Sequence, residues 1–180
     1  RYMTNSHSNQ TTKLQAGTAF PVFEVPKFGG GTMTVGGATD GWTLLIVYRG
    51  KHCGRCKTYL GKLEHNYAKW EDAGFAVKCV SADPLEKVSD DVARFGWTFD
   101  IGYDLQESDM RAMGLYVSDP LSSQETDRRF AEPGIFCLRP DGTTQIIAIS
   151  NGPAARPDLD ELLDGMIFTI NNDKPVRGNA

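Results

Sequence analysis

The sequence predicts an α/β domain: a central mixed β-sheet flanked by helices, with an N-terminal β-hairpin as an extension. Two short, largely apolar runs carry that expectation, Trp42-Thr43-Leu44-Leu45-Ile46-Val47-Tyr48 and Phe75-Ala76-Val77-Lys78-Cys79-Val80. Each is too short for a helix and has the composition of a strand buried on both faces. Between them Cys56, Tyr59, Leu60, Leu63, Tyr67 and Trp70 recur at steps of three and four, one stripe of an amphipathic helix. Strand, helix and strand in that order imply parallel pairing, with the helix packed on a sheet face. Near the end, the segments 134–138 and 144–149 flank a turn at Pro140-Asp141-Gly142, a hairpin that adds antiparallel strands.

The elements follow in chain order. Residues 1–15 are polar and aperiodic, and read as an arm. Residues 20–35 alternate in short apolar bursts around Gly29-Gly30-Gly31, the pattern of a β-hairpin. The helical stripe after the first strand ends before Gly74. Asp83-Pro84 then opens a helix, with aspartate as the capping residue and proline at the first helical position. That helix carries Leu85, Val88, Val92 and Phe95 and stops at Gly96. A short extended piece over 99–103 precedes a helix over 107–113, ended by Gly114. Residues 116–129 are polar and without period, and read as a long loop or insertion. Pro157-Asp158 opens a last helix through Leu162, Leu163 and Ile167. The domain thus spans 16–170, with a polar tail over 171–180.

Composition removes several functions. Of 180 residues, 40% are apolar and 23% charged, enough for a packed core. The net charge of −4 argues against a nucleic-acid binder, which needs a basic face. No apolar run is long enough to span a membrane. The first ten residues lack the apolar core of a signal peptide, so a cytoplasmic protein is expected, an exported form with its signal removed staying open.

Four cysteines are present, two of them in Cys53-Gly54-Arg55-Cys56. A structural zinc site wants two such ligand pairs, and His7, His52 and His65 do not complete one at any usual spacing. No metal or organic cofactor is expected. Cys79 and Cys137 lie alone in apolar stretches and read as small buried hydrophobes. Cys53 stands between a buried strand and an amphipathic helix, where a helix N-terminus offers unpaired N–H groups and partial positive charge. Such a position favours the thiolate, the nucleophilic form. Arg49, Lys51, His52, Arg55 and Lys57 crowd the same stretch of an otherwise acidic chain. Cys56, in the first turn, is placed to close a disulfide with Cys53. The pattern suits attack by Cys53, a mixed disulfide and resolution by Cys56. His52 on the bare pattern is a surface residue more than a base.

Tyr48-Arg49-Gly50-Lys51-His52-Cys53-Gly54-Arg55-Cys56-Lys57 resembles the active-site loop of the thioredoxin superfamily. The rest of the chain is similar to its alkyl hydroperoxide reductase and thiol-specific antioxidant branch, the peroxiredoxin-like proteins. Gly17-Thr18-Ala19-Phe20-Pro21-Val22-Phe23, Val80-Ser81-Ala82-Asp83-Pro84, Tyr103-Asp104 and Met113-Gly114-Leu115 carry the likeness, which covers about residues 15–168. Pro133-Gly134-Ile135-Phe136 resembles the stretch that holds a cis-proline opposite the cysteine pair in thioredoxin-like proteins. The resemblance implies a thioredoxin-like fold and thiol redox chemistry.

Departures from both patterns are specific. Where peroxiredoxins have Thr or Ser three residues before the reactive cysteine, and Pro four residues earlier, this chain has Gly50 and Ile46. The family's peroxide-binding arginine is replaced by Pro133. In the thioredoxin comparison His52 stands for the usual Trp, Gly54-Arg55 for Gly-Pro, and Val47 for the buried acid.

The expectation is a thiol-disulfide redox protein with Cys53 as nucleophile and Cys56 as resolving thiol. Arg55, with His52 and Arg49 beside it, is expected to stabilise the thiolate. A cis Pro133 shapes the groove, and Glu132 accepts the Cys56 proton. The partners would be a disulfide protein or a thiol reductant, with no nucleic acid and no membrane; a homodimer is compatible with the sequence. A thiol-dependent peroxidase and a non-enzymatic redox sensor stay open as alternatives.

Overall fold

The structure, a computed structural model, describes residues 13–180. The expected N-terminal arm lies outside the described residues except for 13–15. A hairpin of β1 (Phe23–Pro26) and β2 (Thr32–Val35) leads into β3 (Trp42–Val47), α1 (Gly54–Asp72) and β4 (Phe75–Val80). Then come α2 (Leu85–Phe95), β5 (Asp100–Gly102), α3 (Glu107–Ala112), β6 (Val117–Ser118) and β7 (Phe130–Ala131). β8 (Gly134–Leu138), β9 (Thr144–Ile149) and α4 (Leu159–Asn171) complete the chain.

Five strands form the central sheet in the order β5-β4-β3-β8-β9. β3 lies at its centre, parallel to β4 with Val47 opposite Val80, and antiparallel to β8 with Val47 opposite Gly134. The sheet is mixed, as the sequence predicts. Side chains of β3 alternate between two cores. Leu44 and Ile46 join Leu60, Leu63, Trp70 and Leu163 under α1 and α4, while Leu45 and Val47 join the hairpin and α3 on the other face. Cover on both faces is why β3 reads as an unbroken apolar run.

Two local expectations differ. Pro84, not Asp83, is the N-cap of α2, and no side chain caps that helix. The Asp83 carboxylate instead accepts a hydrogen bond from the Lys51 backbone N–H at 2.7 Å, so a tertiary contact takes the group that local chemistry would use as a cap. The 116–129 segment is not all loop: β6 opens it and pairs antiparallel with β7. At the other helix ends, Gly96 closes α2 in the left-handed conformation and Asp158 caps α4. Among the described residues, no helix is long and apolar enough to cross a membrane.

Candidate active site

β3 ends at Val47, and a tight link turns the chain into α1. Gly50 makes the turn possible. Its φ is +129°, and a Cβ there would sit 2.6 Å from Asp83 Oδ1. The Asp83 carboxylate that holds Lys51 leaves no room for a side chain at 50, so the missing Thr or Ser follows from the way the link is packed.

Cys53 is the N-cap of α1, in extended conformation, and its Sγ accepts the Cys56 backbone N–H at 3.2 Å. The Cys56 thiol and the Arg49 guanidinium both favour the charged form of this sulfur. Together, the Cys56 thiol foremost, they outweigh burial and bring the Cys53 pKa down to about 6. Cys56 moves the opposite way: its thiol is tied up in donating to Cys53, and burial and the Cys53 charge add to the rise. One sulfur is poised as thiolate and its neighbour held as thiol.

Each sulfur has its own arginine. Arg49 lies 5.0 Å over the Phe130 ring, with its Nε 3.0 Å from Glu132 Oε2; the contact is ionic, without an aligned hydrogen bond. Glu132 is buried, and its other oxygen accepts from Ser118 Oγ at 2.8 Å. Glu125 stands 4.0 Å from Arg49 Nη2. On the far side Arg156 donates from Nη1 to Cys56 Sγ at 3.3 Å, with its guanidinium 4.5 Å over the Tyr59 ring. Tyr59 in turn donates its hydroxyl to the Pro157 carbonyl at 2.8 Å.

The structure thus brings together Cys53, Cys56, Arg49 and Glu132, but it corrects three roles. Arg49 is the guanidinium on the Cys53 sulfur, whereas Arg55 is exposed and lines a groove with Lys62 and Arg156. Glu132 reaches the site through Arg49: the carboxylate expected to take the Cys56 proton is occupied by Arg49 and Ser118. Pro133 is not cis, since no cis peptide bond occurs among the described residues. It is buried, with its carbonyl accepting from Ser150 N–H at 3.1 Å. An extended trans link hands Ala131, paired to β6, directly on to Gly134, paired to β3.

His52 packs edge-on against Phe130, ring centres 4.6 Å apart, with neither ring nitrogen hydrogen-bonded. Burial, then the Arg49 charge, pushes its pKa down, which leaves a neutral wall beside Arg49. Among the described residues no group of three or more His, Cys, Asp or Glu side chains is placed to hold a metal ion. Arg156 and Ser118 escape sequence reasoning. Arg156 lies 100 residues beyond Cys56, and its position just ahead of Pro157-Asp158 is the single hint.

The AhpC/TSA family profile matches residues 16–147. No curated protein matches in sequence. Solved structures do match in fold. A peroxiredoxin-like protein from Aquifex aeolicus superposes with a TM-score of 0.73 at 19% identity, covering 86% of each chain. A mutant peroxiredoxin 6 of Arenicola marina gives 0.71 at 18%, covering 88% of this chain and 74% of its own. Mycobacterium tuberculosis AhpC gives 0.70 at 16%, covering 93% and 99%. At these identities the likeness is one of fold.

Proposed function

Because the chain belongs to the AhpC/TSA family, and so is a thiol-dependent oxidoreductase, we propose that it is a thiol-dependent peroxidase with Cys53 as nucleophile and Cys56 as resolving thiol. The observation that carries this reading is the Arg49 guanidinium whose charge acts on a Cys53 sulfur only 3% exposed. So enclosed a sulfur suits a small oxidant better than the bulk of a protein disulfide. The guanidinium favours the thiolate, and it faces the place where oxygen gains charge as the O–O bond breaks.

In the first step the Cys53 thiolate attacks one peroxide oxygen. An S–O bond forms, the O–O bond breaks, and the departing oxygen leaves as alkoxide or hydroxide and takes a proton from water. Cys53 is then a sulfenic acid. Cys56 sulfur attacks it, the S–S bond forms, and hydroxide departs as water with the Cys56 proton. Two external thiol groups, oxidised together to a disulfide, supply the two electrons that restore the pair. Glu132 acts by holding Arg49 in place.

Disulfide exchange through the same sulfurs is the second reading, favoured by the Cys-Gly-Arg-Cys spacing at a helix N-terminus. Stopped-flow mixing of the reduced protein with hydrogen peroxide, run beside insulin-disulfide reduction, separates the two. Fast, saturable-by-reductant peroxide turnover with little insulin reduction is expected. Insulin reduction without peroxide turnover overturns the peroxidase reading, and a stable disulfide with turnover in neither assay leaves a redox sensor. A cytoplasmic location and a single domain over 16–170 belong to the same proposal.

A further inference from the structure

The groove on the Cys56 side of the site gathers three cations against a single carboxylate, Asp158. It runs between α1 and the loop before α4, holds about 300 Å³, and is lined by Arg55, Lys62 and Arg156 among others. Arg55 and Lys62 are exposed, and among the described residues none of the three forms an ion pair with a carboxylate. The one acid of the lining, Asp158, spends its Oδ1 on the N–H groups of Asp160 and Glu161 as the cap of α4. Arg156 belongs both to this groove and to the Cys56 sulfur, 3.3 Å from its Nη1. A chain of net charge −4 therefore concentrates cations without carboxylate ion pairs beside one half of its redox pair. The volume lies at the lower end of the small-molecule range.

We propose that this groove seats a small thiol reductant bearing carboxylate groups, held by Arg55 and Lys62, while Arg156 stabilises the Cys56 thiolate released as the disulfide is reduced. The inference rests on the reading that a Cys53–Cys56 disulfide is turned over, and names the reductant that reading leaves open. The reductant's thiolate attacks Cys53, the more exposed of the two sulfurs; a bond forms between them, the Cys53–Cys56 bond breaks, and its electron pair goes to Cys56 sulfur. The Arg156 N–H is already aimed at that atom. Cys56 then takes up a proton. A second reductant thiolate attacks the reductant sulfur of the mixed disulfide, Cys53 leaves as thiolate, and the reductant departs as its own disulfide. Two thiols are oxidised for one disulfide reduced.

The test starts from disulfide made with diamide, so it does not depend on peroxide. Its reduction is followed by acid quench and mass spectrometry with 3-mercaptopropionate, 2-mercaptoethanol and 2-aminoethanethiol, each at equal thiolate concentration. The carboxylated thiol should outpace the amine by about three- to tenfold, the worth of one or two partly exposed ion pairs, and the ratio should fall with salt. It should drop to one or below in Arg55→Glu/Lys62→Glu and stay at its wild-type value in Lys69→Glu, a charge reversal further along α1. Arg156→Gln should slow all three thiols alike, with Arg156→Lys restoring part of the rate. Equal rates for the three thiols in the wild type, or an unchanged ratio in the double variant, overturn the docking. Unchanged rates in Arg156→Gln overturn the role of Arg156. Failure of diamide to join Cys53 to Cys56 sinks the redox reading together with this one, whereas peroxide inertness in a protein that passes the thiol test sinks the peroxidase reading alone.

Discussion

Cys53 and Cys56 share a single hydrophobic core with Cys79 and Cys137, and all four are buried. Cys79 sits in β4 opposite Ile46, and Cys137 in β8 opposite Leu44. Burial, acting first, pushes both of those thiols up. Cys53 is no less hidden, yet it is pulled down to about 6. The contrast lies in donors. A strand spends its backbone N–H groups on the ladder and leaves a mid-strand sulfur with apolar neighbours. The first turn of a helix has N–H groups to spare, and Cys53 receives one from Cys56 and feels the charge of the Arg49 guanidinium. Burial alone pushes a thiol up; burial with directed donors favours the thiolate.

The most drastic way to test that contrast is to remove the poised sulfur. Cys53→Ser should abolish peroxide-driven sulfenic acid formation, read by dimedone labelling and mass spectrometry, with no labelling transferred to Cys79 or Cys137. Label on either strand cysteine in the folded protein would show that burial does not protect them.

Acid should act next most strongly. Below about pH 6 the Cys53 alkylation rate should fall about tenfold per pH unit as the thiolate is lost. The same depression appears in stability. Because the folded pKa lies below the roughly 8.5 of an unfolded thiol, the contribution is full above that value and lost as pH falls through about 6. The urea-denaturation gap between wild type and Cys53→Ser should narrow over that window. A gap independent of pH between 5 and 9 would contradict the donor account.

Arg49→Met takes away the neighbouring positive charge while keeping the helix N-terminus. The Cys53 titration midpoint should rise by about one unit, within the range for an opposite charge at this distance, and peroxide reactivity should fall about 10- to 100-fold. Arg49→Lys should recover part of both. The strand cysteines respond only in stability. Cys137→Ala should cost about 1 kcal/mol and Cys137→Ser about 1–3 kcal/mol, through a buried hydroxyl without a partner. Neither should alter the Cys53 midpoint, which thermal melts and alkylation profiles measured together would verify.

Much of this arrangement is legible along the chain because it is local. The apolar run of β3 and the stripe of α1 announce strand and helix, and Cys53 between them announces a sulfur at a helix start. Val47, Gly50 and Ile46, odd against either family pattern, are legible as departures but not as consequences. Gly50 becomes intelligible only when Asp83, 33 positions away in sequence, is found filling the space of its Cβ. The same Asp83 reads locally as a helix cap, a role it gives up for Lys51.

What the sequence by itself determined, then, is the alternation of strand and helix, the burial of Cys79 and Cys137, and Cys53 as the sulfur of a helix N-terminus. Each follows from spacing over a turn or two, where backbone geometry alone dictates which side chains share a face. Tertiary structure alone decided which cations serve the two sulfurs. Arg49, Lys51, Arg55 and Lys57 crowd the region, and hydropathy cannot tell Arg49, folded inward by Glu132 and Phe130, from Arg55, left in solvent. Nor can it join Arg156 to Cys56, because a guanidinium finds its partner through the register of β3 on β8 and the packing of α4 on α1. Electrostatic partners are set by distance in space, and only the assembled sheet and its helices fix that distance.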